Sequence, residues 1–202
     1  MLNITAPRTL LDIARPQGLA AQRVTLAVAV FLGVCLLTLS AKVQVPFWPV
    51  PMTMQTLVVL MLGMAYGSRL AAGTVFAYLL AGAAGLPVFA GTPERGIGLA
   101  YMMGPTFGFL VGFLIAAWLV GFLAERGWDR SFLKCAAAMV LGHLVITLAG
   151  VVWLAVLMGT TKAIEVGFTP FMASSVLKTA LGAVAMPMLW RVLGRGGAVL
   201  RQ

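Results

Sequence analysis

Between Arg23 and Lys42 the chain runs for 18 residues without a charged side chain. Four more such runs follow: 26 residues from Lys42 to Arg69, 24 from Arg69 to Glu94, 29 from Arg95 to Glu125 and 27 from Lys134 to Lys162. After Glu165 a single charge, Lys178, interrupts the last run before Arg191. A helix needs about 20 apolar residues to cross a bilayer. Lipid offers no partners to backbone N–H and C=O groups, so a spanning segment must satisfy them internally. The alternating pattern of a membrane barrel strand is absent. The expected fold is all-α: a polytopic membrane bundle with six spans near 24–42, 52–67, 70–86, 104–124, 135–158 and 170–190. Composition agrees, with 61% hydrophobic and 9% charged residues, against about 25% charged in a soluble domain. Mean hydropathy is +1.03. A soluble enzyme, a disordered tail protein and a disulfide scaffold are excluded.

Two of the runs are not uniform. Pro46, Pro49 and Pro51 fall in VPFWPVP, which cannot be a helix interior, so residues 43–51 read as a structured outer loop with the second span starting near Met52. GIGLAYMMGP reads as a loop before a helix starting near Pro105, since proline suits a first helical position. Residues 1–23 form a cytoplasmic N-terminal segment in which TLLDIA can make a turn or two of interfacial helix. That segment is too long and polar for a signal peptide. Residues 24–202 form one six-helix domain.

Orientation follows from basic residues in short loops. With the N-terminus inside, Arg8, Arg15, Arg23, Arg69, Arg126, Arg130, Lys134, Arg191, Arg195 and Arg201 are cytoplasmic, ten against the three outer residues Lys42, Arg95 and Lys162. Both termini are then cytoplasmic. Trp48 and Trp153 fall near the outer interface, Trp128 and Trp190 near the inner one. The net charge of +9 is mostly this topology signal. Basic residues scattered between apolar runs do not make a nucleic-acid surface; the medium is the lipid bilayer.

The chain has no GxxxxGK[ST], GxSxG or HExxH, and its five acidic residues lie in loops or the N-terminal segment. It carries no energy-coupling or enzymatic constellation of its own, and no cofactor or metal is expected. His143 and the two cysteines, Cys35 and Cys135, read as buried helix residues. Three clusters face the outer side. Lys178 lies about 12 Å inside the last span at 1.5 Å per residue, with Ser174 and Ser175 on its helix face. It either snorkels to the interface or serves as counter-charge to an anionic ligand. The loop 85–108, rich in Gly and carrying Phe89 and Tyr101, is either a lid or an ordinary connector. Thr53, Gln55 and Thr56 open a span. Gln55 suits an amide-like ligand, while Thr53 could simply cap the helix.

Together, VPFWPVPMTMQTLVVLMLG, GLPVFAG, GPTFGFLVGF and FTPFMASSVLK resemble, in order and spacing, segments of the BioY family. Members of that family are biotin-specific substrate-binding (S) components of energy-coupling factor (ECF) transporters. The resemblance covers nearly all of the chain after residue 23. It implies a six-span, substrate-binding domain in the bacterial plasma (inner) membrane. It also implies a high-affinity biotin pocket open to the outside, a transmembrane coupling subunit and ABC-type ATPase subunits. Lys178 matches the family's final-helix Lys, which helps hold the ligand. Ser175 stands where an Asp is common and Ser174 where a Gly is; Thr92 and Phe107 also replace glycines. Without its usual acidic neighbour, Lys178 has the biotin carboxylate as its natural partner. Lys178, Ser174, Ser175, Thr53, Gln55, Phe89, Gly91, Thr92, Tyr101 and Trp48 supply the cation, polar groups and aromatic walls that biotin requires. In the family the first helix docks on the coupling subunit through small residues. The resemblance therefore assigns the Ala29–Gly33 stripe to that face, the alternative being packing against the protein's own helices.

Overall fold

The computed structural model describes residues 8–14, 16–45 and 50–199. Among them lie nine α-helices: α1 (Leu10–Ile13), α2 (Leu19–Lys42), α3 (Gln55–Tyr66), α4 (Ser68–Ala83), α5 (Gly98–Met102), α6 (Phe107–Ala124), α7 (Phe132–Met158), α8 (Thr160–Gly167) and α9 (Thr169–Val199). Two-residue strands β1 (Gln44–Val45) and β2 (Met52–Thr53) pair antiparallel, with Gln44 opposite Thr53. This ladder closes the proline-rich loop, and the Met54 N–H donates to Val43 O at 3.1 Å beside it. Pro46, Trp48 and Pro49 lie outside the described residues.

Four stretches are long and apolar enough to cross a membrane: α2, α6, α7 and Thr160–Leu193, which spans α8 and most of α9. The six similar spans expected from the charge pattern are not all of that length. Helices α3 and α4 have 12 and 16 residues, or ~18 and ~24 Å at 1.5 Å per residue, short of a ~30 Å hydrocarbon core. They meet at Gly67, whose φ of +80° is readily taken only by glycine. The Glu125 carboxylate at the end of α6 accepts from the Ser68 N–H at 2.7 Å and the Ser68 hydroxyl at 2.8 Å. A negative group there also complements the positive end of the α4 dipole. The helix expected from Pro105 starts at Phe107, and the preceding loop holds the short α5.

Helix α6 is the centre of the bundle, packed on α3, α4 and α7. Small residues make this possible, since lipid supplies no hydrophobic drive between helices and close backbone approach must replace it. A β-carbon on Gly112 would stand 2.8 Å from Ile146 Cα of α7, and one on Gly121 would stand 2.5 Å from Ser68 N of α4. Large apolar side chains are exposed on the outside of the bundle, Phe31 at 67% and Val152 at 66% among them. Such faces belong in lipid rather than water.

The Ala29–Gly33 stripe is a correction to the expected partner face. Both residues are buried. A β-carbon on Gly33 would stand 2.5 Å from Thr74 Cγ2 of α4, and the Tyr66 hydroxyl of α3 donates to Ala29 O at 3.0 Å. The stripe is an internal seam, and α2 turns Val28, Phe31, Leu32, Leu36 and Leu39 outward instead.

The two ends of the bundle differ. At one end the Trp190 indole N–H donates to the buried Asp129 carboxylate, whose pKa burial pushes up. Arg130 lies 4.3 Å over the Trp190 ring. At the other end the hairpin, the 85–106 connection and the starts of α3, α6 and α9 surround a cavity.

Candidate functional site

That cavity is open at its mouth, and the space within it, counting the solvent region at the mouth, is about 440 Å³. The hairpin and α3 contribute Val50, Pro51, Thr53, Gln55 and Thr56; the connection after α4 contributes Phe89, Ala90 and Tyr101. Thr106, Phe109, Leu110 and Phe113 come from the start of α6, and Phe171 from α9. The wall is mostly aromatic and aliphatic, with a few hydroxyls and one amide. Small-molecule sites have this composition.

Thr53 and Gln55 owe their places to the start of α3. The Thr53 hydroxyl accepts from the Gln55 N–H at 3.2 Å, holding a donor that the first helical turn leaves unpaired. The capping role anticipated for Thr53 therefore coexists with a place on the cavity wall. The Gln55 side-chain amide donates to the Tyr78 hydroxyl at 2.7 Å, and that hydroxyl donates to Val88 O at 3.0 Å. Gln55 thus joins α3, α4 and the following connection as well as lining the cavity.

Phe89 is almost wholly buried. Its ring stacks on Tyr101 at 5.0 Å and meets Tyr78 edge-on at 5.4 Å. It occupies the space where a β-carbon on Gly82 would project. The Tyr101 hydroxyl donates to Ala90 O at 2.7 Å, and burial raises its pKa. Gly91 and Thr92 do not line the cavity; they shape the connection behind it. Gly91 has φ +72°, and its missing side chain leaves room for Arg95, whose Cδ would be 2.8 Å from a β-carbon there. The Thr92 hydroxyl donates to Phe89 O at 2.7 Å.

Lys178 approaches the cavity from behind its wall. It is 6% exposed, and its ammonium donates to Thr53 O at 2.6 Å and to the Thr56 hydroxyl at 2.9 Å. Both residues line the cavity, and both acceptors are uncharged. Of the three ammonium donors, these bonds use two. Ser174 and Ser175 are half-buried on α9, and neither lines the cavity. The expected grouping of two hydroxyls with the ammonium is replaced by hydroxyl and carbonyl groups from α3 and the hairpin. Trp48 lies outside the described residues. His143 keeps to the helix interior, its Nδ1 2.9 Å from Met139 O. Among the described residues, no group of three or more His, Cys, Asp or Glu is placed to hold a metal ion.

Sequence reasoning missed Phe109, Phe113 and Phe171 as wall residues. They sit in GPTFGFLVGF and FTPFMASSVLK, but an aromatic in an apolar span carries no mark of what it faces. It also missed Lys42. The Lys42 ammonium, at the end of α2, donates to Phe89 O at 3.1 Å, Thr92 O at 2.9 Å and the Thr92 hydroxyl at 3.1 Å.

Comparison with known proteins gives a consistent picture. Residues 14–195 match the BioY family. The chain is 35% identical over 155 residues to the probable biotin transporter BioY of Pyrococcus horikoshii, covering 77% of this chain and 90% of that one. It is 36% identical over 150 residues to the biotin transporter BioY of Thermotoga maritima, covering 74% and 86%. Against the biotin transporter BioY of Rhizobium etli it is 38% identical over 157 residues, covering 73% and 82%. Its fold superposes on the crystal structure of the S-component for biotin from an ECF-type ABC transporter with a TM-score of 0.74 at 22% identity, covering 86% of this chain and 95% of that chain.

Proposed function

The chain belongs to the BioY family, and from that footing we propose that it is the membrane-embedded, high-affinity biotin-binding S-component of an ECF-type ABC transporter, serving biotin uptake. The role is transport rather than catalysis. The observation that carries this reading is the cavity itself. It offers an apolar aromatic body, an amide and hydroxyls in its wall, and a buried ammonium one hydrogen bond behind that wall. Biotin presents a thioether-containing apolar body, a urea-like ring and one carboxylate, and each has a counterpart.

In this reading the remaining Lys178 donor takes the carboxylate. Thr53 and Gln55 face the polar groups of the ligand, while Phe89 and Tyr101 pack on its apolar body. Gly91 and Thr92 hold the wall segment in shape, Ser174 and Ser175 flank the Lys178 turn, and Trp48 is a further aromatic contact to the ligand. The chain crosses the bacterial inner membrane six times, with the short α3 and α4 as the second and third crossings and both termini cytoplasmic. The N-terminal segment 1–23 stays cytoplasmic and residues 24–202 form the substrate-binding domain. The sequence holds no P-loop, so ATP hydrolysis has to come from ABC-type ATPase subunits acting through a transmembrane coupling subunit.

Calorimetric titration of the purified chain in detergent with biotin tests the reading directly. A single saturable site is the expected result; no heat of binding at micromolar biotin would sink it.

A further inference from the structure

The cavity wall contributed by Phe89 and Ala90 belongs to a segment outside any helix or strand. Its carbonyl groups cannot find ladder partners, yet buried backbone oxygens need donors. Phe89 O takes one bond from the Thr92 hydroxyl, and both Phe89 O and Thr92 O take one from the same side chain, Lys42, whose ammonium also reaches the Thr92 hydroxyl. Lys42 is the last residue of α2, 47 to 50 positions away in sequence. One cation thus ties the 89–92 segment to the end of a long helix.

The rest of the connection is tied elsewhere. Tyr101 and Ala90 are bonded to each other within it, and Gly104 O accepts from the Trp153 indole N–H of α7 at 2.9 Å. Together with the Tyr78 hydroxyl of α4, which donates to Val88 O at 3.0 Å, those contacts bind the connection to itself, to α4 and to α7, not to α2. Three charge-assisted hydrogen bonds are strong in sum. Lys42 is nevertheless an exposed residue, so water can replace the loop oxygens as acceptors. Strong but exchangeable bonds are what a latch requires.

We propose that Lys42 is a positioning residue that latches residues 89–92 onto the end of α2 and so governs how fast a ligand leaves the cavity. This rests on the cavity being the biotin site. The latch acts on a wall segment rather than on the ligand, so it changes departure more than arrival; affinity differences between related complexes lie mostly in dissociation rates.

The test uses the full chain in nanodiscs and stopped-flow measurement of biotin association and dissociation. Lys42→Met keeps the apolar stem and removes the donors. Dissociation should quicken by about tenfold or more, while association changes by less than about threefold. Lys42→Arg, which retains charged donors, should return dissociation to within about threefold of wild type. Thr92→Val removes one acceptor and should shift dissociation the same way by less. Hydrogen exchange of the peptide covering 89–92 in the ligand-free chain supplies a second readout, in which Lys42→Met should exchange faster. Wild-type dissociation from Lys42→Met, with biotin still bound, overturns the latch and leaves the cavity assignment standing. Failure of the wild-type chain to bind biotin overturns the cavity reading. The latch is then decided by exchange alone, and unchanged exchange in Lys42→Met overturns it.

Discussion

An ammonium group taken out of water needs compensation, and Lys178 receives only part of it from Thr53 O and the Thr56 hydroxyl. Neutral acceptors satisfy donors without neutralising charge, so a carboxylate arriving in the cavity meets an unneutralised cation in a setting of low polarity. Truncating one partner of such a desolvated charge pair costs about 2–4 kcal/mol. Lys178→Ala should therefore weaken biotin binding by roughly 30- to 1,000-fold. A biotin amide, which has no charge to pair, should lose far less. Titration of both ligands against both proteins checks this, and equal losses would show that Lys178 does not read the carboxylate. Lys178 was legible in the sequence because a lone charge inside an apolar run stands out. Lys42 was not: a cation ending a span is what the charge pattern of any membrane helix supplies, and nothing nearby in sequence marks Phe89 and Thr92 as its partners. Ser174 and Ser175 share a helix face with Lys178, but helical spacing says nothing of how far that face extends into a cavity.

At the scale of elements, charge punctuation located α2, α6 and α7 within a few residues, because a long apolar run between charges has one economical solution in lipid. It did not locate α5 or α8, which are too short to register as runs. It also placed the start of α4 near residue 70, when Gly67 turns the chain and α4 begins at Ser68. The direction of the α2 stripe was the larger miss. When a helix is apolar all round, small residues four apart mark a close contact without saying with whom. The structure gives the partner as Thr74. Gly33→Leu is therefore an overpacking change inside the bundle, a class that costs about 1–3 kcal/mol. It should lower the thermal midpoint of the detergent-solubilised chain. Phe31→Ala, on the outward face of the same helix, should shift stability by no more than about 0.5 kcal/mol. Gly33→Ala should be milder than Gly33→Leu, and Thr74→Ser, which removes the obstructing Cγ2, should restore most of its loss. If Gly33→Leu melts like wild type, α2 does not pack on α4 as described.

For the whole molecule, the two ends of the bundle are chemically distinct, and that difference bears on the direction of transport. The cavity end carries Lys42, Arg95 and Lys162; the other end carries Arg8, Arg23, Arg69, Arg126, Arg130, Lys134 and Arg191. Basic residues in short loops are retained on the cytoplasmic side, so the proposed orientation puts the second set inside and the cavity outside. The aromatic residues fit the same assignment: Trp153 sits at the cavity end bonded to Gly104 O, and Trp190 at the basic end bonded to Asp129. Indole rings at both ends are the interfacial belts of a spanning bundle. In that orientation the cavity captures biotin from outside but does not deliver it, and the proposed ATP-driven partners supply the second step. Cysteine accessibility in intact cells tests the orientation. The background is Cys35→Ala with Cys135→Ala, removing one half-buried and one buried thiol. In that background Glu94→Cys, in the exposed connection beside the cavity, should react with a membrane-impermeant maleimide added outside. Arg126→Cys, at the basic end, should react only after the membrane is permeabilised. The reverse labelling pattern would turn the bundle over and make the cavity an inward-facing site, a geometry that biotin capture from the medium does not allow.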